Sequence, residues 1–332
     1  MNEVKLGAKI VVIGGGTGSF TLLSGLKHYA SDITALVNMS DDGGSTGQLR
    51  DELGVLPPGD VRQCLVALSN SPTTRDLFNY RFDEGSLKGH AFGNLFLTAL
   101  QKMTGSFAQG VELASEVLNI AGRVEPITFA PVQLCAKDQK GKTVCGQHAV
   151  TDARLGKRPE LWLEPAVMVQ PEAVTAIMEA DMVVIAPGNL YASLVPTLLV
   201  QGVADALRHT KAKIVCVTNL VTKPGQTDGF TVADYASEIE RFTGEGVLDY
   251  VVYNTEQPSE HLMSRYAHDG EFAVTYDESE LKRQHYKAKG APLLAKHAWT
   301  GAQEGDPLAH QRTFIRHDSD QLARQLMKIY FS

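Results

Sequence analysis

The chain has 332 residues, of which 43% are hydrophobic, 21% charged and 7% aromatic; this globular composition excludes a disordered or collagen-like polymer. Lys plus Arg number 31 against 38 Asp plus Glu, and a net charge of −7 argues against general binding to nucleic acid or anionic lipid. No apolar run approaches the roughly 18–20 residues that span a bilayer, and the opening MNEVKLGAKIVVIGGG runs into glycines rather than a cleavage site, so no membrane insertion and a cytoplasmic location are expected.

In chain order, residues 9–13 form a short apolar run that reads as a buried parallel strand. Phe20, Leu22, Leu23 and Leu26 then recur at helical spacing over 17–29, and 33–37 is a second apolar run, completing β-α-β. Residues 41–59 are rich in Gly, Asp, Ser and Pro and read as one long loop. Helices are predicted over 61–68, 73–82, 93–103 and 107–119, and a β-hairpin over 128–136 and 143–151. Cys135 and Cys145 flank its turn and could face each other. With Cys64 and Cys216 they lack a CxxC or an extracellular spacing, so reduced thiols are expected. Strands at 182–186, 213–218 and 250–254 alternate with helices at 171–179, 194–208 and 231–242, and a last helix covers 319–330. This alternation predicts a Rossmann-like, doubly wound α/β fold with a mostly parallel sheet. It forms one domain over 1–332, with a helical and β-hairpin subdomain embedded at 60–170.

Five constellations carry the chemistry. Gly14-Gly15-Gly16-Thr17-Gly18-Ser19 leaves a strand and opens a helix, where backbone N–H groups and the helix dipole suit a phosphate. It is no dinucleotide fingerprint, because Ser19 stands at the third glycine position, and no Walker A lysine follows. The plain alternative is a tight turn that needs glycine for packing. The Asn38–Arg50 stretch leaves the carboxyl end of the second strand, and its adjacent Asp41 and Asp42 suit Mg²⁺ or a substrate hydroxyl. Asp60, at a helix N-cap position in Pro57-Pro58-Gly59-Asp60, is expected to join Asp42 around a cation, with Arg62 facing a phosphate. His90 and Asn94 lie four residues apart, on one face if helical. Gly188, Asn189, Tyr191 and Ser193 belong to a second strand–glycine–helix turn, and Asn219–Thr227 leaves a third strand. There is no GxSxG elbow, HExxH or zinc-spaced cluster. The histidines between His261 and His317 show no tight metal spacing and are expected at the surface.

Together GGGTGS, DDGGSTG, PPGDVRQCLVAL, GHAFGN and APGNLYASLVPTLLV resemble, in this order, the motifs of the YvcK/CofD-like family over roughly residues 8–260. The family's bacterial YvcK branch is called the gluconeogenesis factor or UPF0052 group. The resemblance implies a Rossmann-like fold and two rival functions. YvcK-type members look like proteins that bind UDP-GlcNAc-like nucleotide sugars and act in cell shape and gluconeogenic growth. CofD-type members are Mg²⁺-assisted transferases that move a 2-phospho-L-lactyl group onto a deazaflavin precursor. The Leu190-Tyr191 pair and Ser193 make the chain more similar to the YvcK branch. On that reading Gly15, Gly16, Thr17 and Gly18 hold phosphate, and Asn189, Tyr191 and Ser193 contact the sugar or second phosphate. On the transferase reading Asp42 and Asp60 hold the metal or accept a hydroxyl proton, and Arg62 stabilises charge. Mg²⁺ is the one cofactor in view, no tightly bound organic cofactor is expected, and a homodimer is expected because closed two-fold pairs dominate among oligomers.

Overall fold

The computed structural model describes residues 6–296 and 315–332. Seven strands form the main sheet: β1 (Leu6–Ile13), β2 (Ala30–Val37), β3 (Arg123–Pro126), β7 (Met182–Ile185), β8 (Lys213–Val217), β9 (Tyr250–Asn254) and β10 (Lys287–Ala291). Their order is β10-β9-β8-β7-β1-β2-β3, and every neighbouring pair is parallel. The apolar runs predicted as strands are buried on both faces, as parallel strands under helices must be. From β1 the chain steps outward to β2 and β3, then returns to β7 and steps the other way to β10. The reversal lies between β1 and β7, the switch point where open α/β sheets bind ligands.

Three further strands, β4 (Gln133–Lys137), β5 (Thr143–Cys145) and β6 (Leu161–Glu164), form a separate antiparallel sheet in the order β5-β4-β6. The helices are α1 (Gly16–Leu26), α2 (Gly44–Leu53), α3 (Gly59–Leu68), α4 (Pro72–Asn79), α5 (Phe92–Thr104), α6 (Phe107–Leu118) and α7 (Gln147–Asp152). They continue with α8 (Pro171–Glu179), α9 (Val195–Leu199), α10 (Val203–His209), α11 (Val232–Thr243), α12 (Glu260–His268), α13 (Glu278–Leu281) and α14 (Ser319–Tyr330). Helices α1, α3, α6 and α14 pack in one group, and α8, α10 and α11 in another. This is the two-sided cover that right-handed crossovers in opposite directions impose. Among the described residues no helix is long and apolar enough to cross a membrane.

Several expectations are revised. The polar stretch 41–59 is not all loop, because it contains α2. Leu49 is buried on that helix, and Gly54 ends it in the left-handed conformation. The second arm of the predicted hairpin stops at Cys145 and gives way to α7. The helix predicted over 194–208 is split: a π-turn at Leu190–Leu194 precedes α9, and Gly202 at φ 98 separates α9 from α10. Cys135 and Cys145 are disulfide-bonded rather than reduced, because the β4–β5 register sets them opposite each other with Cα atoms 4.1 Å apart. Cys64 and Cys216 are free and buried. His317 is buried rather than at the surface. Its backbone bridges to Leu294, and burial pushes its imidazole down to about 4. His297 and His310 lie outside the described residues.

One buried side chain helps to fasten the small sheet to the main body. Gln226, in the loop after β8, donates Nε2 to the carbonyls of Val150, Thr151 and Ala153 at 2.8, 3.1 and 3.1 Å, satisfying the open end of α7. On the opposite side, α14 lies so close to α1 that a Cβ on Gly25 would stand 2.0 Å from the Ser319 carbonyl oxygen. Backbone cannot yield there as a side-chain tip would. Gly25→Ala is therefore expected to destabilise the protein by roughly 1–3 kcal/mol. Denaturant unfolding would show this as a lower midpoint with the slope unchanged.

Candidate functional site

Four helix N-termini meet at the carboxyl edge of β1 and β2. Gly15 precedes α1, and a Cβ there would stand 2.2 Å from Asp60 Oδ2 near the start of α3. A Cβ on Gly59 would stand 2.4 Å from Thr46 Oγ1 and 2.6 Å from Asp41 Oδ2, which joins α3 to the start of α2. Ser45 on α2 then reaches His90 and Asn94 at the start of α5. The N-cap residues of these helices are Gly15, Gly43, Pro58 and Ala91, and none supplies a capping side chain. Helices α4, α6, α11, α12 and α14 begin with Ser, Thr or Asp caps, whereas α7, α8, α9 and α10 have no side-chain cap either. Open helix N-termini aimed at one place make an anion-binding concavity. Thr17 stands exposed at its rim.

The second glycine turn closes the other wall. A Cβ on Gly18 would stand 1.7 Å from the Pro187 carbonyl oxygen, so only glycine lets the loops after β1 and β7 touch. Gly188 is held from β8 by Asn219, whose Oδ1 accepts its N–H at 3.1 Å and whose Nδ2 donates to its carbonyl at 2.8 Å. Asn189 caps the π-turn, accepting from the Ala192 amide at 3.1 Å. Ser193 is half-buried beside it. Tyr191 points away: it is fully buried, and its hydroxyl donates to Glu238 Oε1 at 2.9 Å. Burial and that carboxylate both raise the phenol, so Tyr191 belongs to the packing of α11.

The structure brings Asp41, rather than Asp42, to Asp60. Asp42 Oδ1 accepts the His148 amide at 2.8 Å, and its carboxylate fits against Gly146. Asp41 Oδ1 accepts the Gly43 amide at 3.0 Å, and burial raises its carboxyl above the usual value. Asp60 is not the cap of its own helix. Burial, then the charge of Asp41, push its carboxyl up to about 7, against the lowering effects of the Gly16 amide and Arg62. Its Oδ2 is buried with no hydrogen-bond partner among the described residues. Two carboxylates beside a phosphate cradle would repel an anion unless a proton or a cation lies between them. An orphaned carboxylate oxygen of this kind fits a divalent cation such as Mg²⁺ held by Asp41 and Asp60. No group of three or more His, Cys, Asp or Glu with metal-ligand geometry occurs among the described residues. Such an ion would therefore complete its shell with water and ligand oxygens.

Arg62 is buried and aimed by two amides, donating Nε to Asn94 Oδ1 at 3.0 Å and a terminal nitrogen to Asn79 Oδ1 at 2.6 Å. Asn94 Nδ2 donates to Ser45 Oγ at 3.2 Å, and Ser45 Oγ lies 3.0 Å from His90 Nδ1. His90 precedes α5, so it meets Asn94 through Ser45 rather than along a shared helix face. Ser45, Asn79 and Gln147 were not singled out in the sequence. Gln147 donates Nε2 to the Ala192 carbonyl at 3.0 Å and ties α7 to the π-turn.

The raised carboxyl has a stability consequence. An acid whose folded pKa lies above its unfolded value stabilises the fold fully below the unfolded pKa, and that contribution is lost as pH rises through the folded one. For Asp60 the window runs from the ordinary 3.8 to about 7. Asp60→Asn, which keeps an acceptor for the Gly16 amide, is expected to raise the melting temperature at pH 8 clearly more than at pH 5, where only the lower part of that window has been crossed. An equal effect at both pH values would refute the assignment.

Known proteins similar to this chain show its family. The family model described as 2-phospho-L-lactate transferase CofD matches residues 10–294. The gluconeogenesis factor of Bacillus subtilis is 37% identical over 325 residues, covering 97% of this chain and 98% of that protein. That of Halalkalibacterium halodurans is 40% identical over 277 residues, covering 82% and 85%. A crystal structure of a UPF0052 family member from Bacillus halodurans superposes with a TM-score of 0.86 at 34% identity, covering 97% of this chain and 99% of that one. With the family model spanning most of the chain and full-length relatives well above 30% identity, the protein belongs to the CofD family, in the group that includes the gluconeogenesis factors.

Proposed function

We propose that the protein reversibly binds a nucleoside-diphosphate sugar of the UDP-GlcNAc class across the β1–β7 switch point. The observation that carries this reading is the pair of touching glycine turns, Gly15–Gly18 and Gly188, among helix N-termini that lack capping side chains. The diphosphate lies on the Thr17 and Gly18 amides, next to the Gly16 amide that Asp60 holds. Polar groups at Ser45, His90 and Asn94 on one side and Ser193 on the other face the sugar. Among the described residues no lysine stands in the cradle, and neutral donors suit a ligand that must also leave. Relatives carry the name gluconeogenesis factor. We therefore place this binding in the control of carbon metabolism and, through the sugar nucleotide, of cell shape.

A second reading is favoured by one specific feature, the buried Asp41–Asp60 pair, together with the transferase description of the family model. Mg²⁺ bound there would neutralise charge on a transferring phosphoryl group. Asp60 would hold or release a proton near neutral pH, and Arg62 would steady the anion.

Calorimetric titration with UDP-GlcNAc, UDP-glucose, GDP and GTP, with and without Mg²⁺, separates the readings. Thr17→Glu is the control variant, because it sets a carboxylate at the mouth of α1 on an exposed residue. UDP-sugar binding that weakens by about tenfold or more in the variant is the expected result. Guanine-nucleotide binding that requires Mg²⁺, with no UDP-sugar heat, would replace this reading with the transferase. Absence of all four signals would refute both.

A further inference from the structure

The antiparallel insert meets the candidate site through three residues that follow a disulfide. Cys145 ends β5, a three-residue edge strand that pairs with β4 alone, and it is bonded to Cys135 directly across the ladder. Cys145 is exposed, whereas Cys135 is buried. Cys145 is therefore the half of the bond on the solvent side. Gly146 comes next, with φ 106 and its amide donating to the Leu134 carbonyl at 2.7 Å. Its missing Cβ makes room for Asp42 Oδ2, which would stand 2.6 Å from such an atom. Gln147 then holds the Ala192 carbonyl, and the His148 amide holds Asp42. The segment after the disulfide thus bridges the loop after β2 and the loop after β7, the two walls between which the ligand is placed.

The other thiols stand apart from this chemistry. Cys64 and Cys216 are fully buried, and burial pushes both up, Cys216 to about 12, so neither is a thiolate near neutral pH. Where reduced thiols are the rule, a disulfide is usually a transient or sensing one.

We propose that Cys135–Cys145 is a redox modification site, cleaved by a dithiol reductant, and that its cleavage releases residues 146–148 from Asp42 and Ala192 and weakens ligand binding. The reductant's thiolate attacks the Cys145 sulfur. The S–S bond breaks, and Cys135 leaves as a thiolate that takes up a proton. The reductant's second thiol then attacks the mixed disulfide and expels the Cys145 thiolate, which is protonated in turn. The protein gains two electrons and two protons, and the reductant departs as its own disulfide. The affinity arm rests on the nucleotide-sugar reading, but the exchange chemistry and the release of the segment do not.

The test uses the full chain, equilibrated with oxidised glutathione or with dithiothreitol. Alkylation after denaturation is expected to count two free thiols in the oxidised protein and four in the reduced one. Hydrogen exchange across 146–150 should rise on reduction while exchange in α1 and β1 stays constant. The dissociation constant for UDP-GlcNAc should rise at least about fivefold, the lower end of ordinary site-to-site coupling. Cys135→Ser/Cys145→Ser, which keeps two thiols under both conditions, should show the reduced protein's exchange and affinity under both. Four free thiols after oxidised glutathione, or unchanged exchange at 146–150, would overturn the proposal. So would equal affinity in both states of a protein that binds UDP-GlcNAc. If UDP-GlcNAc binds neither state while exchange still responds, the nucleotide-sugar reading falls and the redox site stands.

Discussion

The carboxyl edge of the sheet is organised by how closely two turns approach, Gly18 against the Pro187 carbonyl. β1 and β7 are hydrogen-bonded neighbours, so the turns that leave them start about 4.8 Å apart, and any side chain at Gly18 would pry them open. Because the turns touch, the start of α1 and the Gly188 loop lie side by side. The same nearness lets Asn219 reach Gly188 from the next strand and fix the loop with two hydrogen bonds. The position of the cradle follows from strand order, and its narrowness follows from glycine.

Against this cradle the buried acids pose an electrostatic problem. Helix N-termini favour negative charge, yet two carboxylates already occupy the ground beside Gly15 and Gly59. Near neutral pH Asp60 is poised between protonated and charged forms, because burial and Asp41 oppose the Gly16 amide and Arg62. A small shift in its surroundings, such as an arriving phosphate or cation, changes which form prevails. Buried Arg62 is kept in one orientation by Asn79 and Asn94, so its charge acts at a fixed distance from this balance.

Much of the fold was legible in the sequence because it rests on local rules. Apolar runs ending in glycine announced β1 and β7, helical spacing announced α1, and helices were expected where α8, α11 and α14 lie. Failures occurred where tertiary contacts override local pattern. Polar α2 exists because Leu49 finds the core and Gly54 ends the helix, not because its composition asks for helix. β10, with its Lys-Ala-Lys-Gly-Ala sequence, is a strand because β9 offers an unpaired edge. The same division holds for the site. The glycine turns were visible as motifs, but no spacing rule could say that Asp41 would face Asp60 while Asp42 turned to the insert, since a His148 amide distant in sequence decides it. Tyr191 shows the converse case, a motif residue whose side chain is claimed by a buried glutamate.

The helices with open N-termini have one further meaning. An anion seated among α1, α2, α3 and α5 would serve all four as a common cap, a role that Ser, Thr and Asp fill for helices elsewhere in the molecule. Each of those four helices leans on another element: α1 on α14, α2 on α5, α3 on α6 and α5 on α4. Occupancy would thus be felt as added stiffness far from the ligand, and the protein could signal through its rigidity without changing its shape.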